Sequence, residues 1–412
     1  IRDSEGTTMK KIDPTNIGGG ASSLNGLSDV SVNSTTNSAY FINIPSGLSG
    51  DSKNLVIGEG AANSFTGALT SVVMGYNALA NHTNSVVGNV VIGSEAMGSV
   101  TANQVTSTIA IGDQAGKSAG NPFSTIIIGA EAAANNNNTF QSVYIGGKAG
   151  RAANSNYQVF IGEKAGENAN GATRAVAVGW QAGSSATSDH FVLIGNQAGK
   201  SSSAIGHISI GYDAGYSQTS GAETTNIGYE AGYSNTTGGW RTMLGYQAGK
   251  NNTGSFNVFM GARAVSSGTG NGIQNVMIGY EAGKTLTNGS RNTAVGNQSM
   301  TAPVASEDNV AIGHEALKAS GSKYFNTAVG SKAGNSVTTG QNLTIIGYDA
   351  DASSATATNE ITLGNTSVTA LRIPGLQSGA SDGDVLTFAS GTGLITLQAA
   401  GGGGGASSLN GL

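Results

Sequence analysis

The stretch Asn275-Val276-Met277-Ile278-Gly279-Tyr280-Glu281-Ala282 decides the fold, because the chain repeats it. A short apolar run, a glycine and, three residues on, an alanine return as Val310-Ala311-Ile312-Gly313 with Ala316, and in looser copies elsewhere. The anchoring glycines are Gly58, Gly75, Gly93, Gly112, Gly129, Gly146, Gly162, Gly179, Gly195, Gly211, Gly228, Gly245, Gly261, Gly279, Gly296, Gly313, Gly330, Gly347 and Gly364. Eighteen intervals span 306 residues, a mean of 17, with single spacings from 16 to 19. A period this short is one coil of a solenoid, whose length is set by copy number and not by the usual size of a globular domain.

Counted from the glycine as zero, positions −3 and −1 are mostly Val, Ile, Leu, Met or Thr and share one face of a strand. Position −2 is also apolar in many coils, as at Val73, Val91, Ile127, Phe160, Leu193, Met243, Phe259 and Met277. A strand apolar on both faces is buried on both. A 17-residue coil has room for two strands of four to six residues and little core of its own. The expectation is that −3 and −1 line the coil, and that −2 faces away from it toward identical chains around an axis, three in number.

Alanine fills +3 in 17 of 19 copies, with Ser299 and Ser367 as exceptions, which predicts a tight interior. Glycine at zero, as in Gly279 and Gly313, supplies a conformation or close approach closed to other residues. Position −4 is often Asn or Thr (Asn54, Asn89, Thr108, Asn257, Asn275, Asn292, Asn309, Asn326) and predicts a ladder of stacked side chains. Position +2 is mostly Glu, Gln, Lys or Asp and predicts a solvated column. Nineteen coils at ~4.8 Å would stack to about 90 Å.

Outside the repeats the chain changes character. Residues 1–53 read as a charged connector and a β cap with a strand in Ala39–Ile44, and 54–367 as the repeat domain. Residues 368–400 read as a small β module with strands at Val368–Ile373, Asp384–Phe388 and Leu394–Leu397. Residues 401–412 read as a glycine-rich hinge and the start of a further module. Gly18–Leu27 returns unchanged as Gly403–Leu412, an offset of 385 residues that predicts modules joined in tandem or end to end.

The runs Asn309-Val310-Ala311-Ile312-Gly313 and Asn326-Thr327-Ala328-Val329-Gly330, each with Ala at +3, resemble the head repeat of trimeric autotransporter adhesins. That YadA-like repeat is a left-handed parallel β-roll and recurs in phage tail fibres. The resemblance covers roughly residues 54–367 and implies an all-β, homotrimeric parallel β-solenoid flanked by small β modules. The sequence departs from the adhesins in its longer period and in lacking a heptad stalk, an adhesin neck and membrane-anchor strands. The exit segment Ile361-Thr362-Leu363-Gly364-Asn365 resembles phage fibre and spike proteins, and Ser23–Val30 and Asp382–Thr387 resemble phage linker modules. The expected function is a non-enzymatic fibre segment on a virion surface, a rigid spacer and attachment element for a host glycan or receptor. A bacterial cell-surface adhesin or extracellular filament subunit is the alternative, and a polysaccharide-cleaving tailspike ranks lower.

Composition narrows the partners. A net charge of -5 offers no basic stripe for a phosphate backbone, so nucleic acid is not an expected partner. There is no cysteine for disulfides, and no run of 18 apolar residues for membrane insertion. No GxxxxGK[ST] loop or calcium nonapeptide is present, so no cofactor, metal or catalytic residue is expected. His82, His190, His207 and His314 read as exposed turn residues, and Glu281 and Glu315 as members of the solvated column. Tyr76, Tyr212, Tyr229, Tyr246, Tyr280 and Tyr348, with Trp180, share +1 and read as rings stacked on one another. Trp240, in a Thr-Thr-Gly-Gly-Trp loop that breaks register, is the candidate glycan contact.

Overall fold

A computed structural model describes residues 54–372 except 65–68, 83–85, 101–104, 304 and 320. It also gives the backbone of strands Val30–Asn33, Ser38–Phe41, Val385–Ala389 and Leu394–Gln398. The charged connector of residues 1–17 and the hinge at 401–412 lie outside the described residues. The chain divides into two compact units, Ile1–Leu363 and Gly364–Leu412.

The first unit is a parallel β-solenoid of about 17-residue turns, consistent with a β-roll repeat. Its strands form one sheet of 22. Val30–Asn33 pairs antiparallel with Ser38–Phe41, and that strand pairs parallel with Leu55–Ile57. From there each coil adds one parallel strand, ending at Thr358–Leu363. The register puts like on like: Val276, Met277 and Ile278 face Thr293, Ala294 and Val295. In the second unit, Val385–Ala389 and Leu394–Gln398 form an antiparallel hairpin, whereas the strand expected from Val368 is irregular chain through Arg372.

Most coils have one strand, typically of three residues, and not the expected two of four to six; the coil leading to Gly112 has two short ones, Val105–Thr106 and Ile109–Ile111. Left-handed corners fold the rest of the coil. In the coil of Gly279 they are Gln274 (φ 58°), Gly279 (φ 137°), Glu281 (φ 54°) and Gly283 (φ 59°), positions −5, 0, +2 and +4. The turns still have backbone partners, because amides such as Ala282 bond within the coil, to Gly279 O, and others bond to the coil on one side or the other. Gly279 N–H donates to Met260 O at 2.7 Å and Glu281 N–H to Ala262 O at 3.0 Å, while Gly283 N–H donates to Ser299 O at 3.0 Å. Glycine at zero is obligatory: a Cβ on Gly279 would lie 2.4 Å from Gly296 O, and one on Gly313 would lie 2.3 Å from Gly330 O.

The strand faces the other way round from the sequence expectation. Val73, Val91, Ile127, Phe160, Leu193, Met243, Phe259 and Met277 are fully buried inside their own coils, and −3 and −1 face outward. The corners on both sides of the strand wrap its −2 side, so these eight residues fill the coil and do not face partner chains. The +3 alanines are buried beside them, as at Ala78, Ala165 and Ala282.

So thin a coil holds little side chain, and −2 and +4 share the space. In five coils a large −2 stands with glycine at +4: Tyr144/Gly150, Phe160/Gly166, Leu193/Gly199, Met243/Gly249 and Met277/Gly283. Phe259, with Val265 at +4, departs from this and reaches into the preceding coil, to within 2.9 Å of where a Cβ on Gly249 would stand. A Cβ on Gly166 would lie 2.3 Å from the Phe160 ring. In four coils a smaller −2 stands with a large, buried +4: Val73/Leu79, Val91/Met97, Ala294/Met300 and Ala311/Leu317. Leu79 and Leu317 take this corner at φ 52° and 49°, so leucine tolerates it when the interior is vacated.

This complementarity can be measured. Phe160→Ala should cost ~3–5 kcal/mol by leaving a cavity. Gly166→Leu alone should also destabilise, through overpacking. Chemical denaturation should find the double variant more stable than Phe160→Ala; additive losses would refute the shared-volume account.

Candidate functional surfaces

Four features remain once the coil is built: the outer strand face, two aromatic columns, a charged column and a polar stretch of the interior. The outer face stacks the −1 and −3 residues in register. Ile161, Ile194, Leu244, Ile312 and Ile346 along it are 36–44% exposed, high for branched apolar side chains on a sheet.

Three +1 tyrosines in consecutive coils, Tyr212, Tyr229 and Tyr246, stack on one another, whereas Tyr76, Trp180, Tyr280 and Tyr348 have no aromatic residue at +1 in either neighbouring coil and depart from the expected stack. Tyr212 and Tyr229 are 5.0 Å apart between centroids and Tyr229 and Tyr246 5.3 Å, with planes within 16°. Trp240 does not break register. It occupies the −5 corner with φ 53°, and the next coil places Phe256 at the same corner. The two rings are parallel within 1° at 5.0 Å, and each residue is 53% exposed. Phe256 thus covers one face of Trp240, a pairing visible in the sequence once −5 is counted as a column.

The +2 carboxylates are held by cations. Glu131 pairs with Arg151 at 2.9 Å and Glu230 with Lys250 at 2.6 Å, each cation lying one coil on at +5. Glu281 departs from the expected solvated column: it is 6% exposed beneath Arg263 and Lys284, each at 3.0 Å. Burial alone would raise its carboxyl, but hydrogen bonds from Lys284 and Gln298 and the Lys284 charge hold it below the usual range. Lys117 and Glu95 pair across an open polar cleft of about 300 Å³ that Asn63, Asn77, Asn81 and Ser99 also line. Among the described residues no group of three or more His, Asp or Glu is placed to hold a metal, and no helix is long and apolar enough to cross a membrane.

The −4 column is the predicted ladder, enclosed within the coils. Asn257 Oδ1 accepts the Asn275 N–H at 2.9 Å, and the pattern repeats through Asn292, Asn309 and Asn326 to the Leu343 amide. Each Nδ2 donates to a loop carbonyl, as from Asn275 to Gly289 O at 2.9 Å. Between Leu193 and Met243 the interior turns polar, with Ser209 and Asn226 at −2 and His207, Thr224 and Arg241 at −4. Two buried apolar clusters lie on either side of this stretch.

Two histidines depart from the expected exposed positions. His190 and His314 are exposed, but His82 and His207 are fully buried. His207 sits at −4 against Phe191, with ring centroids 5.8 Å apart, and its Nδ1–H donates to Ala204 O at 2.8 Å. Burial pulls its pKa down to about 4, outweighing that bond. Its neutral form is therefore the native one. The unfolded chain, with a histidine pKa near ~6.5, binds the extra proton first as pH falls. Stability from this group is complete above pH ~6.5 and lost between ~6.5 and ~4, by up to ~3 kcal/mol. Denaturation of His207→Phe across that window should show a flatter pH dependence than the parent, and an unchanged slope would refute the assignment.

Compared with protein-family models, with curated proteins and with solved structures, the chain matches none.

Proposed function

We propose that the chain is a non-enzymatic structural fibre segment that assembles as a homotrimer and serves a viral tail fibre as rigid spacer and attachment element. The observation that supports this best is the outer apolar face. A ladder of isoleucine, valine and leucine in strict register is the surface an identical ladder covers, since each coil meets its own counterpart at the same height. The number three rests on the likeness of the repeat to the YadA-like roll. A bacterial cell-surface adhesin shares every one of these features and is the second reading.

The inward and outward faces separate assembly from folding. Light scattering on the purified chain should give three times 40.8 kDa. Ile194→Asp, on the outer face, should yield a folded monomer with intact β circular dichroism, whereas Leu193→Asp, one residue away inside the coil, should unfold. A parent chain that stays monomeric would sink the proposal.

Attachment is assigned to a surface glycan at the −5 corner. Trp240 and Phe256 offer half-exposed rings there, with Glu223 and Gln274 one coil to either side as hydrogen-bonding neighbours. On a glycan array Trp240→Ala should lose binding with its melting temperature unchanged. Undiminished binding by that variant would remove the corner from the reading.

A further inference from the structure

Among the described residues, Arg241 is the only lysine or arginine at position −4, and it reverses the chemistry of the interior ladder. The −4 residues after it, from Asn257 to Asn326, each carry an oxygen and a pair of N–H donors, and the oxygen accepts from the coil above. A guanidinium carries donors and no acceptor. Arg241 is 2% exposed, so its charge lies inside the coil. Its Nη1 donates to Asn235 Oδ1 and, at 3.4 and 3.3 Å, to the carbonyls of Asn252 and Gly254. Its Nε and Nη2 have no hydrogen-bond partner among the described residues, and neither has Nδ2 of Asn252.

Three enclosed donors without acceptors therefore belong to two residues in contact, and one of those residues is a cation. Burial is the sole influence on the guanidinium and draws its pKa to about 9, so it remains charged at neutral pH with no carboxylate acting on it. Neutral oxygens can take the donors but leave the charge uncompensated, and enclosing an unpaired charge is strongly unfavourable. A small anion meets both needs at once. The polar stretch around it, with Asn226 and Ser209 in place of the Leu, Phe or Met of other coils, sets this section of the interior apart from the dry core on either side.

We propose that the interior of the solenoid at Arg241 is an anion site, taking one monovalent halide-sized anion between Nε and Nη2 of Arg241 and Nδ2 of Asn252. The site lies within a single chain and is independent of how many chains assemble.

Bromide identifies it directly. Crystals of the full chain grown in sodium bromide should show an anomalous peak within hydrogen-bond distance of the Arg241 guanidinium; density there without anomalous signal, meaning water alone, overturns the proposal. In solution, the melting temperature at fixed ionic strength should be higher in sodium bromide than in sodium gluconate by about 2 °C or more, saturating with bromide concentration. Arg241→Met should abolish that difference, and an equal bromide response in the variant overturns the proposal. Asn252→Asp is the second variant: its Oδ1 still accepts from Gly254 N–H and Asn257 Nδ2, and a carboxylate oxygen replaces the orphaned Nδ2. It supplies the counter-charge from the chain itself, and should be at least as stable as the parent and indifferent to bromide. A bromide response retained in Asn252→Asp counts equally against the site.

Discussion

The structure depends on backbone amides and carbonyls that find their partners one coil away. A turn of 17 residues with left-handed corners at −5, 0, +2 and +4 has few partners within itself. Gly279 reaches back to Met260 and Gly283 reaches forward to Ser299, and an isolated coil would leave these groups to water. Stacking in strict register is the condition for the turns to exist at all. The glycine column follows from it: successive backbones pass so closely at position zero that a single methyl would meet the next carbonyl.

Register also fixes what the interior can hold. With backbones locked at strand spacing, the coil cannot widen for a larger residue, so volume is exchanged between −2 and +4 within the coil or borrowed from a neighbour. Ala177/Gly183 shows the second route: both residues are small, and Leu193 of the next coil reaches to within 2.8 Å of where a Cβ on Gly183 would stand. Packing is thus conserved coil by coil while the identities of the residues change freely.

Much of this was legible in the sequence. The period, the glycine at zero, the alanine at +3 and the asparagine ladder were each read from spacing, and each has its structural counterpart. The direction of the strand was not, because apolar residues stand on both of its faces and alternation then carries no polarity. The deciding signal was +4: glycine opposite Tyr144 and Phe160, leucine or methionine opposite Val73 and Val91, a pattern that makes sense only if −2 points inward. His207 and Arg241 were missed for a related reason. Read singly, His207 is a turn histidine and Arg241 carries no signal; read by column they stand at −4 among buried residues such as Phe191, Thr224 and Asn257.

A stack whose coils meet their neighbours through the same positions has no preferred number of members. Gaining or losing one repeat shifts everything beyond it by one strand spacing and leaves each interior as it was, provided the new coil brings its own matched −2 and +4. Spacings of 16 to 19 show that corner loops absorb differences in length without disturbing that match. Length then becomes a quantity that the gain or loss of a coil can alter in single steps.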